Sequence, residues 1–183
     1  MPGGTYTTRA KVRSLTGFGT AEVSDADLDV FILFASADVE RYTGRVWTGR
    51  QTKEFLGRGD GTTAAFFTSL RPVLSGPGGT VTDNSADITV FVGGKPADPS
   101  GYSLLGAEGR IEFDEGEEPG EGEAVEASYY YDLAQVEEAA TFLAAHYCYL
   151  PRAGGEEKAE VFYNRAMEIL RQLGRGVRIA KTP

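Results

Sequence analysis

The spacing of hydrophobic residues changes twice along this chain, and this change limits the folds that it can adopt. Before about residue 46 and after about residue 132, apolar residues recur every three or four positions, as on the buried face of a helix. Between these regions apolar and polar residues alternate in short runs separated by turn residues, as in half-buried strands. The sequence therefore predicts an α+β protein in which a helical bundle, built from both ends of the chain, carries an inserted β segment.

Four helices are predicted, two on each side of the β segment. The first covers Thr7 to Leu15. The second begins at the capping residue Ser24 and ends near Gly44, because glycine adopts a left-handed conformation without a steric penalty. The third carries its apolar stripe from Leu133 to Leu150, and the fourth covers about Glu156 to Leu173. The stripe of the second helix comprises Leu28, Phe31, Ile32, Ala35, Val39 and Tyr42.

The middle of the chain predicts about six antiparallel strands, which form a β-sandwich or an open barrel. The six runs are QTKEFLG, AAFFTSL, DITVFV, Tyr102 to Leu105, GRIEF and EAVEASYYY. Consecutive pairs flank RGDGTT, GGKPADPSG and the acidic DEGEEPGEGE, and hairpins are expected at RGDGTT and at the acidic run. The predicted boundaries are 1–46 for the N-terminal helices, 47–131 for the β domain, 132–174 for the C-terminal helices and 175–183 for a basic tail.

The negative charge of the chain is concentrated in one segment. The net charge is −9, and the segment from Glu108 to Glu126 holds nine acidic residues and one arginine, which leaves −1 for the rest. The acidic run lacks the regular ligand spacing of a calcium loop, so we expect a solvated, mobile hairpin loop. With one cysteine and one histidine in the chain, no disulfide scaffold, metal site or cofactor is predicted.

None of the candidate catalytic or ligand motifs is convincing, and no enzymatic activity or catalytic residue is expected. His146 and Cys148 are two positions apart on a helix and face opposite ways, so that they cannot act as a nucleophile and its base. The Arg-Gly-Asp tripeptide within GRGDGTT is interpreted as a turn rather than as an adhesion motif or a phosphate loop. Tyr129 and Tyr131 are expected on one strand face, in the core, and Tyr130 on the other.

Neither a secretory leader nor a membrane span is expected from the sequence. The first residues, MPGGTYTTRAKVRS, contain no apolar run, and no segment approaches the roughly 20 apolar residues that cross a bilayer. The lone cysteine fits a reducing compartment. We therefore expect a soluble protein that is made in the cytoplasm of its host and does not bind membranes.

Several segments, in their order along the chain, resemble the head-to-tail connector (adaptor) proteins of long-tailed, siphovirus-like bacteriophages. The resemblance begins in TTRAKVRSLTGFGTAEVSDADLDVFILFASADVERYTGRVW and continues through FLGRGDGTTAAFFTSLRPV, GYSLLGAEGRIEF and VEASYYY to the Ala-rich helix. It covers nearly all of the chain. It implies a structural virion protein in the phage neck rather than an enzyme.

The resemblance also implies partners. Such subunits form a homo-oligomeric ring, typically of twelve, that docks on the portal protein at the capsid vertex, extends the DNA channel and receives the next neck or tail protein. Double-stranded DNA passes through without specific binding. The expected portal contacts are Gly176, Val177, Arg178, Ile179, Ala180 and Lys181. The acidic loop residues Glu115, Glu117, Glu118 and Glu121 are expected to face either the lumen or the next ring. Gly44, Arg45 and Trp47 are expected to form the junction between bundle and insertion, with Trp47 in the seam.

Two other functions remain open at this stage. The chain could be another ring protein of the neck or tail, such as a stopper or tail-completion protein, although those tend to lack paired terminal helices. It could also be a module that uses its β domain to bind a peptide or a glycan.

Overall fold

A computed structural model describes residues 4–176 of the chain, with side chains to residue 173. The fold is α+β, with four helices and two antiparallel sheets of five and three strands. The chain divides into two compact units. The helical unit is drawn from the segments that end at Trp47 and begin at Leu133, and the β unit is Thr48–Asp132.

All four predicted helices are present in the helical unit. They are α1 (Arg9–Thr16), α2 (Asp25–Thr43), α3 (Ala134–Tyr149) and α4 (Glu156–Gly176). As predicted, α2 starts where the Ser24 hydroxyl accepts a hydrogen bond from the Asp27 amide, and it ends at Gly44, which has a φ of 70°. The side chain of Thr8 caps α1 in the same way by accepting from the Lys11 amide.

The core of the helical unit is centred on α3, which contacts the other three helices. Its residues Ala139, Ala140, Ala144 and Ala145 are fully buried, and such small side chains allow neighbouring helices to approach closely. Larger apolar side chains fill the remaining space. They include Val12, Leu28, Ile32, Val39, Val136, Leu143, Ile169 and Leu170. No helix within residues 4–176 is both long enough and apolar enough to span a membrane.

The β unit contains eight strands rather than the six expected. They are β1 (Arg50–Arg58), β2 (Ala65–Phe67), β3 (Val73–Leu74), β4 (Thr89–Val92), β5 (Lys95–Pro96), β6 (Tyr102–Leu105), β7 (Arg110–Phe113) and β8 (Ala124–Tyr131). The six predicted runs correspond to β1, β2, β4, β6, β7 and β8. The additional strands β3 and β5 have two residues each, too few for any periodicity to show in the sequence.

The strand pairing differs from the prediction in both expected hairpins. In the larger sheet β8 lies between β1 and β4, β5 extends β4, and β3 also pairs with β8. In the smaller sheet β7 lies between β2 and β6. Thus β1 and β2, the strands on either side of RGDGTT, belong to different sheets, and so do β7 and β8 on either side of the acidic run. The segment after β4 closes a shorter hairpin with β5 instead, because Gly93 and Gly94 both take a positive φ, as a tight two-residue turn requires.

Side-chain alternation along β8 positions the core of the β unit. Val125, Ala127, Tyr129 and Tyr131 are buried, and the residues between them are partly exposed. The alternation predicted for the three consecutive tyrosines is confirmed, since Tyr130 lies on the other face, with the Arg50 guanidinium over its ring. Within the described residues, neither sheet closes into a barrel.

Candidate functional site

The acidic run is a connection between the two sheets of the β unit, and the prediction of a hairpin loop is therefore wrong. It leaves β7 in the smaller sheet and enters β8 in the larger sheet. Glu115, Glu117 and Glu121 are exposed, and Glu118 is half-buried. These four predicted site residues therefore lie on one surface segment, which we call the acidic loop (residues 114–123).

Backbone hydrogen bonds join the acidic loop to the turn that follows β1, and the expected mobility of the loop stays a prediction. The Gly59 amide donates to the Glu123 carbonyl, the Gly61 amide to the Pro119 carbonyl and the Gly122 amide to the Gly59 carbonyl. Pro119 is itself fully buried. A Cβ atom at Gly59 would lie 2.2 Å from the Pro119 carbonyl oxygen, so the contact requires glycine there.

A cleft of about 230 Å³ lies beside the acidic loop within the β unit. Its lining includes the carboxylates of Asp98, Glu117, Glu118 and Glu123, together with Tyr102. Hydrogen bonds from the Ser100 amide and hydroxyl hold the pKa of Asp98 below its usual range. The cleft is lined by four acidic side chains, which disfavour the approach of phosphate groups. No group of three or more His, Cys, Asp or Glu side chains within residues 4–176 is arranged to hold a metal ion.

The Arg-Gly-Asp turn uses both of its charged side chains locally. The Asp60 carboxylate accepts hydrogen bonds from the amides and hydroxyls of Thr62 and Thr63, which hold its pKa far below the usual range. Arg58 donates to the Gly122 carbonyl in the acidic loop. These contacts favour the interpretation as a structural turn.

His146 and Cys148 point to different surroundings, as their spacing predicts. The Nδ1 atom of His146 lies 2.9 Å from the Ala159 carbonyl oxygen in α4 and must carry the proton, because a carbonyl only accepts. Cys148 is buried, and desolvation raises the pKa of its thiol to about 11, although Arg152 and Arg13 act in the opposite direction. The thiol is therefore protonated at neutral pH and lacks the character of a nucleophile.

The residues predicted to form the domain junction lie at the end of the first helical segment. Gly44 donates to the Glu40 carbonyl and ends α2, and the Arg45 guanidinium lies 4.5 Å from the ring centroid of Trp47. The buried Trp47 donates from its ring nitrogen to Thr43 and from its backbone amide to the Tyr6 hydroxyl. These contacts are all within the helical unit.

The predicted portal-contact segment is mostly outside the described residues. Gly176 is the last residue of α4. Val177, Arg178, Ile179, Ala180 and Lys181 lie beyond residue 176.

Sequence reasoning missed an exposed apolar face on α2. Val30, Leu33 and Phe34 are 43%, 45% and 53% exposed, and Ala37 is exposed beside them. At 100° per residue these positions share one side of the helix, almost opposite the buried residues Leu28, Ile32, Ala35 and Val39. We call Val30, Leu33, Phe34 and Ala37 the outer stripe. The spacing of three, one and three residues between them is visible in the sequence and indicates this face. It was overlooked because the opposite side of α2 is apolar as well.

A groove on the helical unit was also missed. It has a volume of about 300 Å³ and runs along α1 and α3. Its lining residues are Leu15, Ala134, Glu137, Glu138, Thr141 and Phe142, together with Lys11. Lys11 pairs with Glu137 at 2.5 Å, whereas Glu138 is an exposed carboxylate on the rim. We call this feature the α1–α3 groove. Its residues come from two helices distant in sequence, so that no sequence pattern marks it.

Comparison with known proteins does not assign a family or a function to these sites. No model of a known protein family and no curated protein sequence matches the chain.

Proposed function

We propose that the chain is the subunit of a head-tail adaptor ring in a long-tailed bacteriophage. In this proposal the ring docks on the portal at the capsid vertex, extends the DNA channel and receives the next neck or tail protein. The single observation that carries the proposal is that the helical unit is drawn from both ends of the chain, while Thr48–Asp132 forms a separate β unit between them. This is the order of elements that the adaptor resemblance implies.

The proposal includes a finer description of the fold. The four helices form one bundle, with α3 as its central helix, and the two sheets pack face to face as a sandwich. The position of α3, which contacts α1, α2 and α4, supports the bundle. The T-shaped contact between Phe66 of β2 and Phe113 of β7 supports an aromatic core over the smaller sheet.

Charge gives the β unit a role in this ring. The acidic loop and the cleft beside it carry fixed negative charge, held in place by the backbone contacts with Gly59 and Gly61. DNA phosphates are repelled by such a surface, which suits a channel that must pass DNA without binding it. In the proposal this surface faces either the lumen or the next ring.

Reconstitution with the portal tests the proposal directly. Purified full-length chain is mixed with portal rings from the virus that encodes it, and electron microscopy is expected to show a cylinder of matched symmetry. Deletion of residues 176–183 is expected to abolish docking, because this segment combines apolar Val177 and Ile179 with basic Arg178 and Lys181. As a control, Arg171→Glu changes an exposed basic residue within α4 and is expected to leave docking intact.

Two results would overturn the proposal. One is an intact chain that binds no portal ring and remains monomeric at high concentration. The other is saturable binding of the full chain to a defined glycan or peptide on an array, with no affinity for portal, since this would indicate a binding module.

A further inference from the structure

We infer that neighbouring subunits join head to tail, with the outer stripe of one copy seated in the α1–α3 groove of the next. The inference deepens the proposed ring and rests on it, because it names the two surfaces that close the ring. The occupant of the groove is a second copy of this chain.

The outer stripe requires a partner on physical grounds. A helix that is apolar on two opposite sides leaves one apolar side in water unless another surface covers it. Val30, Leu33 and Phe34 are each at least 43% exposed, and they are contiguous along one side of α2. Burial of their exposed apolar area against another surface is favourable because it removes this area from water. The stripe therefore favours association.

The groove and the stripe have matching lengths. The stripe extends over eight residues from Val30 to Ala37, and their seven steps of 1.5 Å span about 10 Å along the helix axis. The part of the groove formed by α3 extends over nine residues from Ala134 to Phe142, about 12 Å by the same measure. Leu15, Ala134 and Phe142 give the groove apolar walls that can receive the side chain of Leu33 or Phe34.

Charges at the ends of the two surfaces are complementary. Arg41 follows Ala37 by one helical turn on the same side of α2 and is highly exposed, although it also pairs with Asp38. Glu138 is an exposed carboxylate on the rim of the groove. If Arg41 lies over Glu138, a single orientation of the stripe in the groove is favoured.

The positions of the two surfaces favour a ring rather than a two-fold dimer. Helix α2 contacts α3 at Tyr147, whose ring packs on Phe31 and whose hydroxyl donates to Asp38. The groove residues Ala134, Glu138 and Thr141 lie at least about 120° around the α3 axis from Tyr147. In the stripe, the ring of Phe34 also contacts Tyr147 edge-on, whereas the other three residues lie almost opposite the buried side of α2. The stripe and the groove are therefore two different surfaces of one unit, and such a pair produces a head-to-tail contact, which closes into a ring when the rotation permits.

A mixing experiment with matched variants tests this arrangement. Leu33→Arg disables the stripe, Leu15→Arg disables the groove, and Val161→Arg changes a more exposed apolar residue outside both surfaces. By sedimentation velocity and native mass spectrometry, the unchanged chain and Val161→Arg are expected to form oligomers larger than dimers. Each of the first two variants alone is expected to be monomeric, with an unchanged circular dichroism spectrum. Their mixture is expected to stop at the heterodimer, because only one intact stripe and one intact groove remain.

Charge reversal tests the orientation. Arg41→Glu and Glu138→Arg are each expected to weaken self-association by about tenfold or more, since each brings like charges together. The double variant is expected to recover it. For a direct measure, oxidation of an Arg41→Cys, Glu138→Cys double variant, whose two positions face each other in the proposed orientation, is expected to give a ladder of linked copies, since Cys148 is buried and does not compete.

Failure of this inference is distinguishable from failure of the proposed function. The inference is overturned if Leu33→Arg and Leu15→Arg still oligomerise, if Arg41→Cys alone links to itself efficiently, or if the unchanged chain gives no oligomers and the double cysteine variant no linked ladder. In any of these cases docking on the portal can still be observed. Conversely, head-to-tail oligomers that bind no portal would support the inference and count against the proposed function.

Discussion

The helix boundaries of the helical unit and the strand arrangement of the β unit depend on contacts of different range along the chain. The start of α2 is fixed by Ser24 and Asp27, three residues apart, and its end by Gly44 and Glu40. In the β unit, by contrast, the Tyr129 hydroxyl donates to Glu54, which is 75 residues away. The helical unit therefore takes its element boundaries from neighbouring residues, whereas the β unit takes its strand arrangement from distant ones.

The surfaces of the two units differ as well. The helical unit exposes a contiguous apolar stripe and an apolar groove, and such surfaces favour association with another protein surface. The β unit exposes carboxylates in the acidic loop and the adjacent cleft, and such a surface repels anions. In the proposed ring, the first unit would join copies and the second would present charge.

The strongest test of the comparison is the long-range hydrogen bond between Tyr129 and Glu54. Tyr129 is only 1% exposed, its hydroxyl lies 2.5 Å from the Glu54 carboxylate, and the hydroxyl also accepts from the Leu70 amide. Tyr129→Phe removes both bonds and is expected to lower the free energy of unfolding by about 1.5–3 kcal/mol, the range for hydrogen bonds to charged groups. Denaturant titration of the full chain measures this loss. A loss below about 0.5 kcal/mol would show that the bond contributes little to the β unit.

The environment of the Tyr129 hydroxyl also predicts that the stability of the fold depends on pH. Burial, and then the hydrogen bond and charge of Glu54, raise the pKa of Tyr129 well above its usual value of 10.0. The folded chain therefore holds this proton more tightly than the unfolded chain, so the contribution is complete below pH 10 and falls as the pH rises further. The difference in stability between the unchanged chain and Tyr129→Phe is expected to shrink above pH 10. A difference that stays constant or grows would contradict the assigned pKa direction.

The range of these contacts also explains what could be predicted from the sequence. The helix ends at Ser24 and Gly44 and the alternation of the tyrosines in β8 were predicted correctly, because each depends on residues within one element. The two hairpins were predicted wrongly, because β8 pairs with β1 and neither β1 nor β7 pairs with the next predicted strand along the chain. The groove was not foreseen for the same reason, since α1 and α3 meet only in the folded helical unit.

The contact between Gly59 and the acidic loop provides a second test, with an intermediate expected effect. Gly59→Ala would place a methyl group against the Pro119 and Gly120 carbonyl oxygens, 2.2 and 2.6 Å from the ideal Cβ position. We expect a loss of about 1–3 kcal/mol, as for overpacked sites. Hydrogen exchange at the Gly61 and Gly122 amides, which bond to Pro119 and Gly59, is expected to accelerate.

Gly76→Ala is the matched control for this substitution. A Cβ atom at Gly76 has no heavy atom within 4 Å, so the methyl group should be accommodated with little change in stability. Equal effects of the two substitutions would contradict the role assigned to the Gly59 contact, and unchanged exchange at Gly61 and Gly122 in Gly59→Ala would show that the acidic loop does not depend on it.

The smallest expected effect is at the local contact that begins α2. The Ser24 hydroxyl accepts from the Asp27 amide at 3.1 Å and donates to the Asp27 carboxylate at 2.7 Å, both at the exposed surface. Ser24→Ala removes the cap and is expected to cost about 1 kcal/mol, whereas Ser24→Thr keeps an acceptor oxygen and should retain most of the stability. Denaturant titration followed by helical circular dichroism measures both. If Ser24→Ala lowers the free energy of unfolding more than Tyr129→Phe does, the helix cap over three residues contributes more to stability than the hydrogen bond over 75 residues. That result would contradict the assignment of the larger energies to the long-range contacts of the β unit.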